Sequence, residues 1–383
     1  MAKNIIFCAD GTWNGPDKDD DGDCRPDFTN AYKCFLGLSG ALRVDSICDA
    51  DEQEKELLDS GLVVQVAKYI HGVGDSRNPI VKLMGGAFGS GIIARIVRGY
   101  TFVSRNYDVG DRIAIVGFSR GAYTARALAG LIASQGLLSK PLTEDKTKAY
   151  RLGAQVWYRY RKQAGTAKVG FLERLAEATA NLPAFLSRDE ISVSQLVAVD
   201  KIKAVGVWDT VGAMGLPQYI KDERTDAFRF TDTRLSPKVE NGFHAVALDE
   251  QRKDFSPTLW DAAANVTQAA FAGAHADVGG GYTTNGHQSE LSDIALGWMV
   301  DRLESVGLRF NRPVFSPFAP KPTGTAHKPW QHPPFNLPGE AALRNLKGSG
   351  IQEHPSIQER IDAGSVAAEP GEAPTLYKPS NRP

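Results

Sequence analysis

Short apolar, β-branched runs alternate along this chain with longer stretches whose apolar positions recur every three or four residues. Residues 4–9 ("NIIFCA"), 62–70 ("LVVQVAKYI"), 112–118 ("RIAIVGF"), 202–208 ("IKAVGVW") and 266–273 ("VTQAAFAG") are of the first kind and read as strands. Residues 92–107, 120–136 and 289–306 are of the second kind and read as helices. The alternation predicts an α/β fold with a mainly parallel sheet covered by helices on both faces. In such sheets ligands gather at the carboxyl ends of the strands. Each predicted strand here runs straight into polar or glycine-rich residues: "DGTWNG", "HGVGDS", "SRG", "DTVG" and "AHADVGGGY". Five marked ends of this kind predict the rim of an active site.

Two regions break the alternation. Residues 142–196 form an insertion that is helical, basic and aromatic in its first half, with Tyr150, Trp157, Tyr158 and Tyr160 among Lys146, Arg151, Arg159, Arg161 and Lys162. It reads either as a lid over the site or as a packing subdomain. Aromatic and cationic side chains together suit transient contact with a membrane surface. From residue 312 to 383 proline becomes dense, which predicts an extended tail packed on the body of one domain spanning 1–383. No internal repeat is present.

Composition narrows the function classes. The 383 residues are 42% hydrophobic and 23% charged, with a net charge of −1, and no basic stripe stands out, so nucleic acid is not an expected partner. No run reaches membrane-spanning length, and "MAKNIIFCADG" lacks the features of a signal peptide, so a cytoplasmic protein is expected, with signal-less export by a secretion system as the variant. Four cysteines, Cys8, Cys24, Cys34 and Cys48, lack C-x-x-C spacing and read as reduced thiols rather than a zinc site. A Cys24–Cys48 or Cys24–Cys34 bridge would require export.

The chemistry centres on "IVGFSRGAYTAR". Ser119 lies in a G-x-S-x-G pattern between a strand and a helix, the context of a nucleophile on a sharp turn. Gly117 and Gly121 stand where side chains would collide with neighbouring elements, and Ala122, Ala125 and Ala129 would let the helix lie close on the sheet. A serine nucleophile needs a base, and the base needs an orienting carboxylate, in the chain order Ser, acid, His. Among seven histidines, His275 follows a strand and precedes three glycines, and is the predicted base. His354 is the reserve, and His244, in a helix-like stretch, reads as structural. Asp209 ends a strand and is the predicted acid. Its rival Asp277 is expected to pin the glycine loop through backbone N–H groups. Arg120 would supply one oxyanion N–H at a helix N-terminus, and Gly11 or Thr12, in the loop opened by Asp10, the second. The rate should rise through a pH near the ordinary histidine value of about 6.5.

Two other readings compete. "ADGT" resembles part of the D-x-D-G-T motif of haloacid-dehalogenase-type phosphatases, but Cys8 stands where the nucleophilic Asp belongs. The acidic run Asp17, Asp19, Asp20, Asp21, Asp23 opens like a calcium loop, yet Phe28 occupies the position of the bidentate Glu. No metal or cofactor is therefore expected.

Taken together, "CADGTWNG", "HGVGDS", "GGAFGSGIIARI", "GFSRGAYTARALAGLI", "VGVWDTVGA", "HAVALDEQRKDFSPTLW" and "FAGAHADVGGGY" resemble the α/β-hydrolase-like family that contains Tle-type phospholipase effectors of type VI secretion. The match runs in order from residue 3 to about 306, and "HPSIQER" and "YKPSNRP" resemble the family's C-terminal end. The resemblance implies an α/β-hydrolase fold and a Ser-Asp-His hydrolase of lipid esters, its motifs falling on Ser119, Asp209 and His275. The alternative is a non-catalytic interaction module on the same fold, with a calcium-loaded acidic loop.

Overall fold

The computed structural model describes residues 2–11, 19, 22, 26–46, 52–72, 87–163, 191–211, 233–333, 335–336 and 341–383. Its strands are β1 (Asn4–Ala9), β2 (Ala41–Leu42), β3 (Glu52–Asp59), β4 (Leu62–Ile70), β5 (Arg112–Phe118), β6 (Leu137–Leu138), β7 (Leu196–Val197), β8 (Ala204–Trp208), β9 (Gly242–Ala247), β10 (Val266–Phe271), β11 (Gln352–Glu353), β12 (Ser365–Val366) and β13 (Thr375–Leu376). Nine of these form one sheet in the order β11-β10-β9-β8-β5-β1-β4-β3-β2. From β11 to β4 all pairings are parallel, and only the β4–β3 and β3–β2 pairings are antiparallel. The helices are α1 (Asn30–Gly37), α2 (Ala87–Asn106), α3 (Arg120–Gln135), α4 (Lys146–Gln163), α5 (His275–Gly279), α6 (Glu290–Ser305) and α7 (Pro355–Asp362).

The two-residue period of a strand divides its side chains between the faces of the sheet. Ile5, Phe7, Ala9, Ile113 and Ile115 enter a core with residues of α2, α3 and α4. Ile6, Cys8, Ala114, Val116 and Phe118 enter a second core with residues of α1 and α6. Each such Ile, Val or Phe removed from water contributes roughly 1.5–3 kcal/mol. Both faces are covered, so the central strands read as near-continuous apolar runs. This is the α/β-hydrolase-like architecture expected.

Four of the five predicted strands end at the expected residue, and β10 stops at Phe271 rather than residue 273. Two strands escape the pattern. β3, "EQEKELLD", is polar because it lies near the sheet edge, where Lys68 of β4 reaches Glu52 at 2.6 Å and Glu54 at 3.1 Å. β9 replaces the helix-like stretch expected around His244; all six of its residues are buried between β8 and β10.

The insertion is bracketed by the small antiparallel pair β6 and β7. Its first half is helical, as expected, but α4 turns Leu152, Val156 and Trp157 into the core. Trp157 is thereby withdrawn from any lipid surface. Residues 164–190 of the insertion lie outside the described residues. The proline-rich tail packs on the body: it adds β11 beside β10, and Leu346, Ile351 and Ile357 join Val246, Leu248, Ala270 and Ala272 in a third core. Cys8 and Cys34 are buried free thiols, while Cys24 and Cys48 lie outside the described residues. Among the described residues no helix is long and apolar enough to cross a membrane.

Candidate active site

Strand register brings the predicted residues to one edge of the sheet. Phe118 of β5 pairs with Trp208 of β8, so Ser119 and Asp209 leave adjacent strands side by side. The Ser119 N–H donates to Trp208 O at 3.0 Å. Ser119 holds φ 58°, ψ −121° at the start of α3, a conformation non-glycine residues rarely adopt and one that surrounding structure must impose. The imposing contacts are tight. A Cβ on Gly121 would lie 2.2 Å from Ala9 O, and one on Gly117 would lie 2.3 Å from Gly121 O. The two glycines therefore let α3 close onto β1 and β5 and lift Ser119 out of the strand.

Asp209 is fully buried and also has a positive φ, 40°. Its Oδ1 accepts the Ala247 N–H at 2.9 Å, and its Oδ2 lies 2.5 Å from His275 Nδ1. A carboxylate accepting at Nδ1 fixes the proton there and leaves the Nε2 lone pair as a base. His275, the first residue of α5, is 5% exposed. Its ring lies 4.7 Å from that of Phe118, the residue before Ser119, and 5.0 Å from that of Phe255. Its backbone N–H donates to Glu250 Oε2 at 3.1 Å. The Phe118 contact places the imidazole next to the strand end that carries Ser119.

Electrostatics favour an ionised acid and a neutral base. Burial works against ionisation of Asp209, but the Arg344 charge and the His275 hydrogen bond outweigh it and hold the carboxyl well below the usual carboxylate range. Burial, followed by the Arg252 charge, outweighs the upward pull of Asp209 and Glu250 and lowers the pKa of His275.

Sequence reasoning missed three charged residues here. Arg344, from the tail, donates Nη1 to Asp209 Oδ1 at 2.7 Å and Nη2 to Oδ2 at 2.9 Å. Buried Glu250 accepts from Arg252 Nε at 2.9 Å and Nη2 at 2.7 Å, and the Arg252 guanidinium stacks 3.6 Å over the Phe255 ring. Glu250 and Arg252 lie in "HAVALDEQRKDFSPTLW", a motif of the resemblance that assigned them no role, and Arg344 sits 135 residues from its partner, with an arginine inside the apolar "AALRNL" as its local hint.

The remaining predicted residues fall as follows. Asp10, at the end of β1, accepts from Thr29 Oγ1 and Tyr69 OH, both at 2.8 Å, and its Oδ1 takes the Gly11 N–H at 2.7 Å. Thr12 lies outside the described residues. Arg120 opens α3, and burial pushes its guanidinium pKa down to about 10. Asp277 accepts the Ala274 N–H at 2.8 Å ahead of α5 and pairs with His327 Nδ1 at 2.6 Å, whereas in the glycine loop the Gly280 N–H donates to Ala276 O and the Gly281 N–H to Phe28 O.

The two other histidines weighed in the sequence, His354 and His244, make contacts of their own. His354 caps α7, its Nδ1 accepting the Ser356 N–H at 3.3 Å, and its ring stacks 4.5 Å from that of Phe271. His244 accepts the Thr210 N–H at Nε2 and contacts Gln268 at Nδ1, while burial pushes its pKa down to about 3. Of the acidic run, Asp19 accepts the Gly22 N–H at 2.8 Å, and Asp17, Asp20, Asp21 and Asp23 lie outside the described residues. Among the described residues no cluster of three or more His, Cys, Asp or Glu side chains could hold a metal ion.

Comparison with known proteins places the chain. The family model for the catalytic domain of Tle1-like type VI secretion phospholipase effectors matches residues 3–302. The chain belongs to this family. It is 30% identical over 258 residues to the uncharacterized protein YEL023C of Saccharomyces cerevisiae, covering 66% of this chain and 32% of that one. Among solved structures, an uncharacterized protein from Pseudomonas aeruginosa aligns over 84% of this chain and 49% of its own, with 18% identity and a TM-score of 0.45. The Tle1 effector bound to the VgrG spike of the type 6 secretion system aligns over 74% and 52%, with 17% identity and a TM-score of 0.35. The chain therefore spans about a third of the yeast relative and about half of each structural neighbour.

Proposed function

We propose that the chain, as a member of this family of phospholipase effector catalytic domains, hydrolyses carboxylic esters of lipids through an acyl-enzyme on Ser119. His275 Nε2 takes the proton from the Ser119 hydroxyl as Oγ attacks the ester carbonyl. The same proton then passes to the departing alkoxide. A water, deprotonated by His275, attacks the acyl-enzyme and restores the serine. Asp209 keeps the imidazole in the productive tautomer and stabilises its charged form. The Arg120 N–H, at the positive end of α3, faces the developing oxyanion, and the loop after β1, through Gly11 or Thr12, is the partner donor.

The observation that carries this reading is the buried Asp209–His275 hydrogen bond of 2.5 Å beside a serine held at φ 58°. Such strain in a non-glycine residue tends to persist where function requires it. The test is incubation with a fluorophosphonate probe, followed by peptide mapping. Stoichiometric labelling of Ser119, abolished by Ser119→Ala, is expected. A chain that takes up no probe would instead support the non-catalytic interaction module.

A further inference from the structure

We infer that Arg344, carried by the C-terminal tail beyond the family-matched residues 3–302, is a positioning residue of the triad that clamps the Asp209 carboxylate and orients it toward His275. The inference rests on the triad reading above. The contact is bidentate, at 2.7 and 2.9 Å, between two side chains that are 4% and 0% exposed. A planar guanidinium that engages both oxygens fixes the plane of the carboxylate, and that plane decides where Oδ2 meets His275 Nδ1.

Arg344 is itself anchored. Nη1 also donates to Ala247 O at 2.7 Å, and Nη2 to the carbonyl of Phe255, whose ring covers the His275 imidazole. Asn381, near the chain end, donates to Arg344 O at 3.1 Å and Leu248 O at 2.8 Å. One side chain thus ties together the acid, the end of β9, the ring over the base and the C-terminus.

The clamp has an electrostatic consequence. The groups around His275 are Asp209 after β8, Glu250 and Arg252 after β9, and Arg344 from the tail, reached through Asp209. Arg344 neutralises part of the charge that His275 feels from Asp209. The base therefore gives up its proton at a lower pH than an unclamped pair would. Removing the guanidinium makes the Asp209–His275 pair bind its proton more tightly, whichever of the two holds it.

The experiment measures the rate of Ser119 labelling by a fluorophosphonate against pH, on full-length wild type, Arg344→Met and Arg344→Lys, with thermal melting alongside. For Arg344→Met the acidic limb should move up by about one pH unit. For Arg344→Lys the limb should stay near wild type while the plateau rate falls about tenfold, since one ammonium cannot hold both oxygens. A pH midpoint unchanged in Arg344→Met, with rates that merely track the folded fraction, would overturn the inference and leave Arg344 a structural ion pair. Should Arg344→Met fail to fold, a wild-type plateau rate in Arg344→Lys would overturn it equally. Wild-type protein that is not labelled at Ser119 would remove the triad reading first, and this inference with it.

Discussion

Replacing Asp209 with Asn changes one oxygen into an amide and nothing else in size. The positive φ of 40° is no obstacle, because Asn tolerates this region as Asp does. The change bites through donors and acceptors. Asp209 accepts four hydrogen bonds, from Ala247 N–H, His275 Nδ1 and both terminal nitrogens of Arg344. An asparagine has one accepting oxygen and one donating nitrogen. If the oxygen stays toward Ala247, the amide faces His275 Nδ1 and forces the proton to Nε2, where the imidazole cannot act as base. If it flips, two donors confront Ala247 N–H and Arg344. The same change in a serine protease triad costs roughly 10⁴-fold in kcat, about 5.5 kcal/mol at the transition state. Arg344 is also left buried opposite a neutral partner, which costs about 3–5 kcal/mol of stability and lowers Tm by several degrees. The assay is kcat/KM on a chromogenic ester, normalised to folded protein by circular dichroism. More than a tenth of wild-type kcat/KM remaining in a folded Asp209→Asn would refute this account of the acid.

Other outcomes follow from the same geometry. His275→Ala should lose several orders of magnitude in kcat with the fold intact, whereas His354→Ala, which removes a helix cap, should cost roughly 0.5–2 kcal/mol in chemical denaturation and little activity. The reverse ranking would reassign the base. Because burial lowers the pKa of His275, the acidic limb of kcat/KM should lie below the ordinary value of about 6.5 rather than at it; a limb above that value contradicts the electrostatics described here. Burial pushes the Asp249 carboxyl up to about 6, against the hydrogen bonds from Gly273 N–H and Tyr377. A raised acid contributes stability below its unfolded pKa that is lost as pH rises through the folded value. Asp249→Asn should therefore gain on wild type by on the order of 2 kcal/mol between pH 4 and 7, the partial exposure of the site reducing the full effect. A pH-independent difference in urea melts would show that Asp249 does not titrate in this range.

Much of this protein was legible in its sequence because the signals are local. The central strands bury both faces and so appear as apolar runs bounded by turn residues. The serine turn is written in Gly117 and Gly121, whose missing side chains are needed within a few residues of Ser119. Chain order and strand ends singled out Asp209 and His275. Where the sequence misled, the neighbours were distant. β3 is polar because Lys68, Arg98 and Arg105 pair with its glutamates, and His244 lies in a strand only because β8 and β10 flank it. Arg344 belongs to the site through a tail that folds back across the strand ends, a path that no spacing in the chain records. Only tertiary packing could decide that Asp209, the carboxylate proposed as the acid, is held by a buried arginine, because a buried charge takes the partner the fold delivers, however far away in sequence.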